Sequence, residues 1–159
     1  MKTIYLLRHA HSAQSLYSVK DWERPLSSKG IKASHKVFEA IKNKRIYPDK
    51  IISSPAFRAI NTALLFAHDI GYPFEGVLIN PLLYDGNSKS MIAFLRKQSD
   101  DINSIMLVGH NPSLARLYAS LTGHTYWLPK SSVSIIKFKV DSWSEVETTS
   151  LIEKEAIKS

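Results

Sequence analysis

Four short apolar runs, at 3–7, 50–53, 77–79 and 104–108, alternate with stretches whose apolar residues recur at helical spacing. That alternation limits the folds open to the chain more than any other feature. Each run is too short for a helix and is rich in Ile, Leu or Val. None alternates strictly between apolar and polar, as suits strands buried on both faces of a sheet. Between the runs, Ser34, Val37, Phe38 and Ile41 share a face within 28–45, with lysines opposite. Ile60, Ala63, Leu64 and Ala67 do the same within 56–70, and Met91, Ile92 and Leu95 within 88–98. Leu114, Leu117, Tyr118 and Leu121 repeat the pattern within 112–122, where Gly123 is a natural stop. Strand then helix, four times over, predicts a three-layer α/β/α sandwich around a mostly parallel sheet. The tail differs: 131–140 alternates in part and 145–152 reads as its partner, giving an antiparallel edge. With 159 residues, no repeat and no Gly/Ser linker, the expectation is one domain over 1–159.

Charge narrows the partner. The formal balance is +7, and it is uneven: residues 1–58 hold 12 Lys and Arg against 4 Asp and Glu, whereas 59–159 hold 9 against 10. A basic first third asks for an anionic partner. The plain alternative is a solvated lysine face on helix 28–45, formed by Lys29, Lys32, Lys36, Lys42, Lys44 and Arg45. A nucleic acid is not expected, because no helix-turn-helix, RNP or zinc-finger signature accompanies the charge. The chain has no cysteine, which excludes disulfides, thiolate metal sites and cysteine nucleophiles. The first apolar run is broken by Arg8 and lacks the length of a signal sequence, and no stretch reaches a membrane span. The expected protein therefore has no membrane partner and works in the cytoplasm, as a monomer or weak dimer.

In open parallel sheets, ligands bind beyond the carboxyl ends of the strands. Here strand one ends in Arg8-His9, strand two is followed by Ser53-Ser54-Pro55 and then Arg58, and strand four ends in Gly109-His110-Asn111-Pro112. Two arginines at one rim call for an anion, most commonly phosphate. A histidine beside them acts as nucleophile, general acid-base or metal ligand. Metal ligation has the least support: there is no HExxH spacing, and His9 and His11 diverge once past the strand end. Phosphoryl transfer remains, with His9 attacking phosphorus in line while Arg8, Arg58 and His110 hold the phosphate. A lone histidine at a strand end is more often structural, but two pairs at successive strand ends weigh against that.

These residues resemble a known family. Leu6-Leu7-Arg8-His9-Ala10 is similar to the RHG signature of the histidine phosphatase superfamily, the phosphoglycerate mutase-like proteins. Residues 52–63, with Ser53-Ser54-Pro55, Arg58-Ala59 and Thr62-Ala63, resemble its second motif, SSPxxRAxQTA. Val108-Gly109-His110-Asn111-Pro112 resembles its late histidine motif, and Arg24-Pro25-Leu26-Ser27-Ser28-Lys29-Gly30 its RPLT..G segment. Order and separation agree over about 3–123. The compact size and the GHNPS wording look most like SixA, the small phosphohistidine phosphatases. The resemblance implies that His9 becomes phosphorylated, that Arg8, Arg58 and His110 hold the phosphoryl group, and that neither metal nor organic cofactor is used.

The sequence departs from the pattern in places. Ala10 stands for glycine, and Asn61 for the usual glutamine. Larger members carry a glutamate acid after the third strand; here the stretch reads Leu82-Leu83-Tyr84-Asp85-Gly86. Asp85 is the candidate proton donor, in a loop near the rim, with a turn-forming Asp-Gly as the alternative. His11, Ser12 and Gln14 follow the nucleophile and are candidates to line the pocket with Asn111, His11 having an exposed loop as its alternative. Trp22, Tyr126 and Trp127 are candidates for an apolar lip, or for ordinary packing. His35, His68 and His124 read as structural or surface residues. The expected function is a phosphatase with a covalent phosphohistidine on His9, acting on a phosphoprotein or a small phosphomonoester. Two rivals stand beside a SixA-like phosphohistidine phosphatase: a small-molecule phosphomonoesterase of the same superfamily, and a non-catalytic phosphate-binding module.

Overall fold

The computed structural model describes residues 1–13 and 19–159. Its six strands form one sheet: β1 (Lys2–Arg8), β2 (Lys50–Ser53), β3 (Val77–Ile79), β4 (Ser104–Gly109), β5 (Val133–Phe138) and β6 (Leu151–Ile157), in the spatial order β3-β2-β4-β1-β5-β6. The first four strands run parallel, and β5 pairs antiparallel with both β1 and β6. Helices α1 (Ser28–Asn43) and α2 (Phe57–Ile70) pack their apolar faces on one side of the sheet, through Val37, Phe38, Ile41, Ala63 and Phe66. The short α3 (Leu82–Asp85), α4 (Ser88–Arg96) and α5 (Ser113–Thr122) cover the other, through Leu83, Met91, Leu95, Leu114 and Leu117. Central strands thus lose both faces to helices, which is why they read as continuous apolar runs.

Local signals set the helix ends. Ser27 caps α1 by accepting from Gly30 N, and Asn87 caps α4 by accepting from Ser90 N. Gly123 ends α5 in the left-handed region at φ 72°, where a side chain would be strained.

The structure corrects two expectations. The strand at 77–79 is not buried on both faces: it is the sheet edge, and Leu78 and Ile79 are exposed. The partner of β5 is not 145–152. That stretch opens with two capped turns, Trp143–Glu145 and Thr148–Ser150, and the strand follows them as Leu151–Ile157.

Register decides what meets at the rim. Along the β1–β4 pair, Arg8 lies opposite Gly109, and His9 N donates to the Gly109 carbonyl at 3.0 Å. The residues that follow, His9 and His110, therefore leave neighbouring strands at the same height. Beyond β1 the chain turns to α1 on one face, and beyond β4 to α5 on the other. That divergence opens a crevice at the carboxyl ends.

Candidate active site

The two imidazoles face each other with ring centres 5.0 Å apart, and each residue is 6% exposed. The Nδ1 of His9 lies 2.7 Å from the Ala10 carbonyl oxygen. A carbonyl only accepts, so Nδ1 carries the proton and Nε2 keeps its lone pair. Burial pushes the His9 imidazole down to about 3, against a smaller upward pull from the Ala10 carbonyl, and the charges of Arg58 and Arg8 push the same way as burial. His110 is pushed down to about 4, first by burial and then by Arg58. Both rings are neutral at physiological pH, as a nitrogen nucleophile and its neighbour need to be.

Thr62 ties this strand end to α2. Its Oγ1 accepts from Ala10 N at 2.9 Å and donates to the Arg58 carbonyl at 2.6 Å. Arg58, in the first turn of α2, is thereby fixed relative to His9, and it is 8% exposed. Its Nη1 donates to the Asp21 carbonyl at 2.8 Å and its Nη2 to Asp21 Oδ2 at 3.0 Å. Asp21 also accepts from the Tyr84 hydroxyl at 3.2 Å and from Arg24 at 3.2 Å. Burial works to raise the Asp21 carboxyl, but Arg58 and these hydrogen bonds outweigh it and hold it below the usual range. Tyr84 in turn stands edge-on to His110, with ring centres 5.6 Å apart.

Arg8 closes the opposite side. Its Nη1 donates to the Leu128 carbonyl at 2.8 Å, and Trp127, 62% exposed, lies 5.9 Å from its guanidinium carbon. Two buried nitrogens here have no hydrogen-bond partner among the described residues: Arg8 Nε and His110 Nδ1. Because His110 Nε2 meets Ser54 Oγ at 2.7 Å, the serine hydroxyl can donate to it and leave Nδ1–H free. Buried donors are otherwise nearly always paired, so two orphans beside the His9 ring are unusual and leave hydrogen-bonding capacity there unused. Among the described residues, no three His, Asp or Glu side chains gather as a metal site would need.

A model of the histidine phosphatase superfamily, branch 1, matches residues 4–77. Over that stretch the chain is similar to the histidine phosphatase superfamily. A chloroplastic protein of Arabidopsis thaliana, itself uncharacterised, is 28% identical over 152 residues, 91% of this chain and 70% of the relative. Among solved structures, the protein histidine phosphatase SixA complexed with tungstate aligns with a TM-score of 0.81 at 18% identity, over 98% of this chain and 96% of that one. A mycobacterial glucosyl-3-phosphoglycerate phosphatase aligns at 0.68 and 15%, over 99% and 98%. The fold is accordingly phosphoglycerate mutase-like, and at these identities the structural likeness is one of fold.

The candidates read from sequence part into two groups. His9, Arg8, Arg58 and His110 converge. His11, Ser12 and Asn111 lie next to them but face other partners. Ser12 is buried and accepts from Arg24 Nη2 at 2.7 Å, His11 Nδ1 meets Ser27 Oγ at 2.7 Å, and Asn111 donates to the same Leu128 carbonyl as Arg8, at 2.9 Å. Asp85 is exposed at the end of α3, which is a helical turn and not the expected loop; among the described residues no hydrogen bond or ion pair joins it to the four. Gln14 lies outside the described residues. Of the aromatic candidates, Trp127 covers Arg8, Trp22 stands edge-on to Phe57 beside Arg58, and Tyr126 packs on Tyr118. His35 and His68 pair with Asp69 on the surface, and His124 is exposed.

Sequence reasoning missed Asp21, Tyr84, Thr62 and the Leu128 carbonyl. Thr62 left a signal, since it falls within the second motif. Gly30 left one too: a Cβ there would come within 2.2 Å of the His11 carbonyl oxygen, so only glycine lets α1 dock on the segment that follows His9.

Proposed function

We propose that this protein hydrolyses phosphoryl groups through a covalent phosphohistidine on His9, as a SixA-like phosphohistidine phosphatase. The observation that carries the reading is the pairing of one accepting nitrogen, His9 Nε2, with two orphaned donors, Arg8 Nε and His110 Nδ1. The Nε2 lone pair attacks phosphorus, and the bond from phosphorus to the leaving group breaks with its electron pair. Arg8, Arg58 and His110 hold the equatorial oxygens and disperse their charge. Water then attacks phosphorus, the P–N bond returns its electrons to His9, and orthophosphate leaves. If the substrate is itself a phosphohistidine with its other ring nitrogen protonated, the imidazole departs neutral with the electron pair of the broken P–N bond and needs no carboxylic acid at the rim. The low-lying Asp21 carboxyl, ionised near neutrality, suits that case.

The same reading takes 1–159 as one catalytic domain, a monomer or weak dimer in the cytoplasm, without metal or organic cofactor. Gel filtration and cell fractionation test those parts. Among the described residues no helix is long and apolar enough to cross a membrane.

The deciding experiment supplies p-nitrophenyl phosphate and a phosphohistidine peptide to wild type and to His9→Ala. Wild type is expected to release phosphate from both and to show an acid-labile phosphoryl group on His9 by mass spectrometry. His9→Ala is expected to lose at least about 10⁴-fold in turnover, as when other catalytic nucleophiles are removed. Full activity in His9→Ala overturns the covalent route. Phosphate binding without turnover in wild type favours the non-catalytic module instead.

A further inference from the structure

Beside the phosphoryl rim lies an open groove that the proposed reaction leaves unused. Its volume is about 530 Å³, within the range of ligand sites. One wall is a stripe of α5 that runs from its cap residue Pro112 through Ala115 and Arg116 to Ala119. That spacing of i, i+3, i+4 and i+7 keeps the four on one side of the helix. The core takes Leu114, Leu117 and Leu121 from α5, so two small alanines are left as the floor of the groove. The facing wall is the chain ahead of β5, with the rings of Tyr126 and Trp127.

Both walls are tied to the phosphoryl end. Pro112 stands two residues after His110. The Leu128 carbonyl, next to Trp127, accepts from Arg8 Nη1 at 2.8 Å and from Asn111 Nδ2 at 2.9 Å. The Trp127 ring lies 5.9 Å from the Arg8 guanidinium carbon, and Tyr126 is braced by Tyr118 with ring centres 5.4 Å apart. Both rings are thus in place before a ligand arrives, which lowers the ordering cost of binding.

Trp, Tyr and Arg are the residue types that dominate binding hot spots, and this groove has one of each. No carboxylate lines it. Arg116 is exposed, and its guanidinium has no ion pair or hydrogen bond among the described residues, so the charge it offers suits an acidic partner. Shape favours a chain over a small molecule. A small-ligand site encloses most of its ligand, whereas Pro112, Arg116 and Trp127 are all exposed here. The α5 wall from Pro112 to Ala119 rises about 10 Å, the reach of roughly three residues of extended chain.

We infer that this groove seats the polypeptide flanking the phosphohistidine of a protein substrate, with an apolar or aromatic side chain over Ala115 and Ala119 and an acidic one on Arg116. This rests on the proposed phosphohistidine reading and names the flanking sequence that serves it.

Affinity is measured apart from turnover. The probes are peptides built around a phosphonate-bearing triazole analogue of phosphohistidine, which is not hydrolysed, flanked on each side by Phe-Glu, by Phe-Lys or by Ala-Ala. Calorimetry compares wild type with Ala119→Leu, which fills the floor, and with Arg116→Glu. Wild type is expected to bind the Phe-Glu peptide most tightly. Ala119→Leu should weaken that peptide by about tenfold, the cost of unseating one buried apolar side chain, and leave the Ala-Ala peptide unchanged. Arg116→Glu should turn the preference from Phe-Glu to Phe-Lys by roughly fivefold at low salt, the range of an exposed ion pair. A merely damaged fold does not invert a preference. Hydrolysis of p-nitrophenyl phosphate should be unchanged in both variants. Equal affinity of wild type for the three peptides, or a preference that neither variant moves, overturns the groove whatever the turnover. A preference retained by a wild type that releases phosphate from no substrate overturns the reaction and leaves the groove standing. If Ala119→Leu weakens 2-naphthylmethylphosphonate and spares the peptides, the groove holds a small leaving group and the peptide assignment falls. A dimer in gel filtration that Ala119→Leu dissociates makes the groove a contact between copies, with the same consequence.

Discussion

Strand β1 carries a cation at each end, and the two are held in opposite ways. Lys2, 1% exposed, spends its ammonium on the Asp100 carbonyl at 2.6 Å, the Ile102 carbonyl at 2.9 Å and Asn103 Oδ1 at 3.2 Å, beneath Trp143. All three donors are used. Arg8 has one bond to the Leu128 carbonyl and a buried Nε with no partner among the described residues. A saturated buried cation locks the fold, whereas an unsaturated one is held ready for a ligand. The difference lies in how many acceptors the neighbouring loops supply.

The largest expected effect tests the unsaturated end. Arg8→Ala should lower kcat on p-nitrophenyl phosphate by about 10²–10³-fold, the usual cost of removing a group that stabilises transferring charge. Its urea midpoint should stay close to wild type. Lys2→Ala should do the reverse. It strands three acceptors at the far end of the sheet, so stability should fall by about 3 kcal/mol while kcat/KM holds. If Lys2→Ala silences the enzyme at temperatures where it remains folded, the two ends are not separable and the comparison fails.

Acid sharpens the same contrast, because the histidines share the Arg8 end. His9 and His110 are held near 3 and 4, whereas unfolded imidazoles titrate near 6.5. Between those values the unfolded chain binds more protons than the folded one. Their contribution to stability is therefore complete above about pH 6.5 and drains away as pH falls toward 4. Urea unfolding at pH 7 and pH 4.5 should show a smaller loss in His9→Asn/His110→Asn than in wild type. An equal loss would place the acid sensitivity elsewhere.

The smallest expected effect concerns Asp21, the carboxylate paired with Arg58. Asp21→Asn removes a competitor for phosphate, and orthophosphate should inhibit roughly fivefold more tightly, within the range of exposed ion pairs. Weaker inhibition would make Asp21 a brace for Arg58 and not its competitor.

Much of this was legible in the chain. Buried parallel strands show themselves as apolar runs, and the residues at their ends follow directly, so the Arg8-His9, Arg58 and His110 convergence could be read. The edge strand β3 could not be told from a buried one, because three apolar residues carry no periodicity. The charged alternation of Glu153, Lys154 and Glu155 hid β6, and the two capped turns before it imitated a strand. Asp21 was invisible because its partners Arg58 and Tyr84 lie 37 and 63 positions away. Asp85 drew notice while its neighbour Tyr84 made the contact. In a helical turn adjacent side chains diverge by about 100°, so when one meets His110 the other faces water.

The register that sets Arg8 opposite Gly109 has one more consequence. The pairing of His9 with His110 exists only while β1 and β4 stay zipped. Turnover is then a gauge of the sheet's central seam. It should vanish at the same denaturant concentration as strand pairing and return as the seam re-forms.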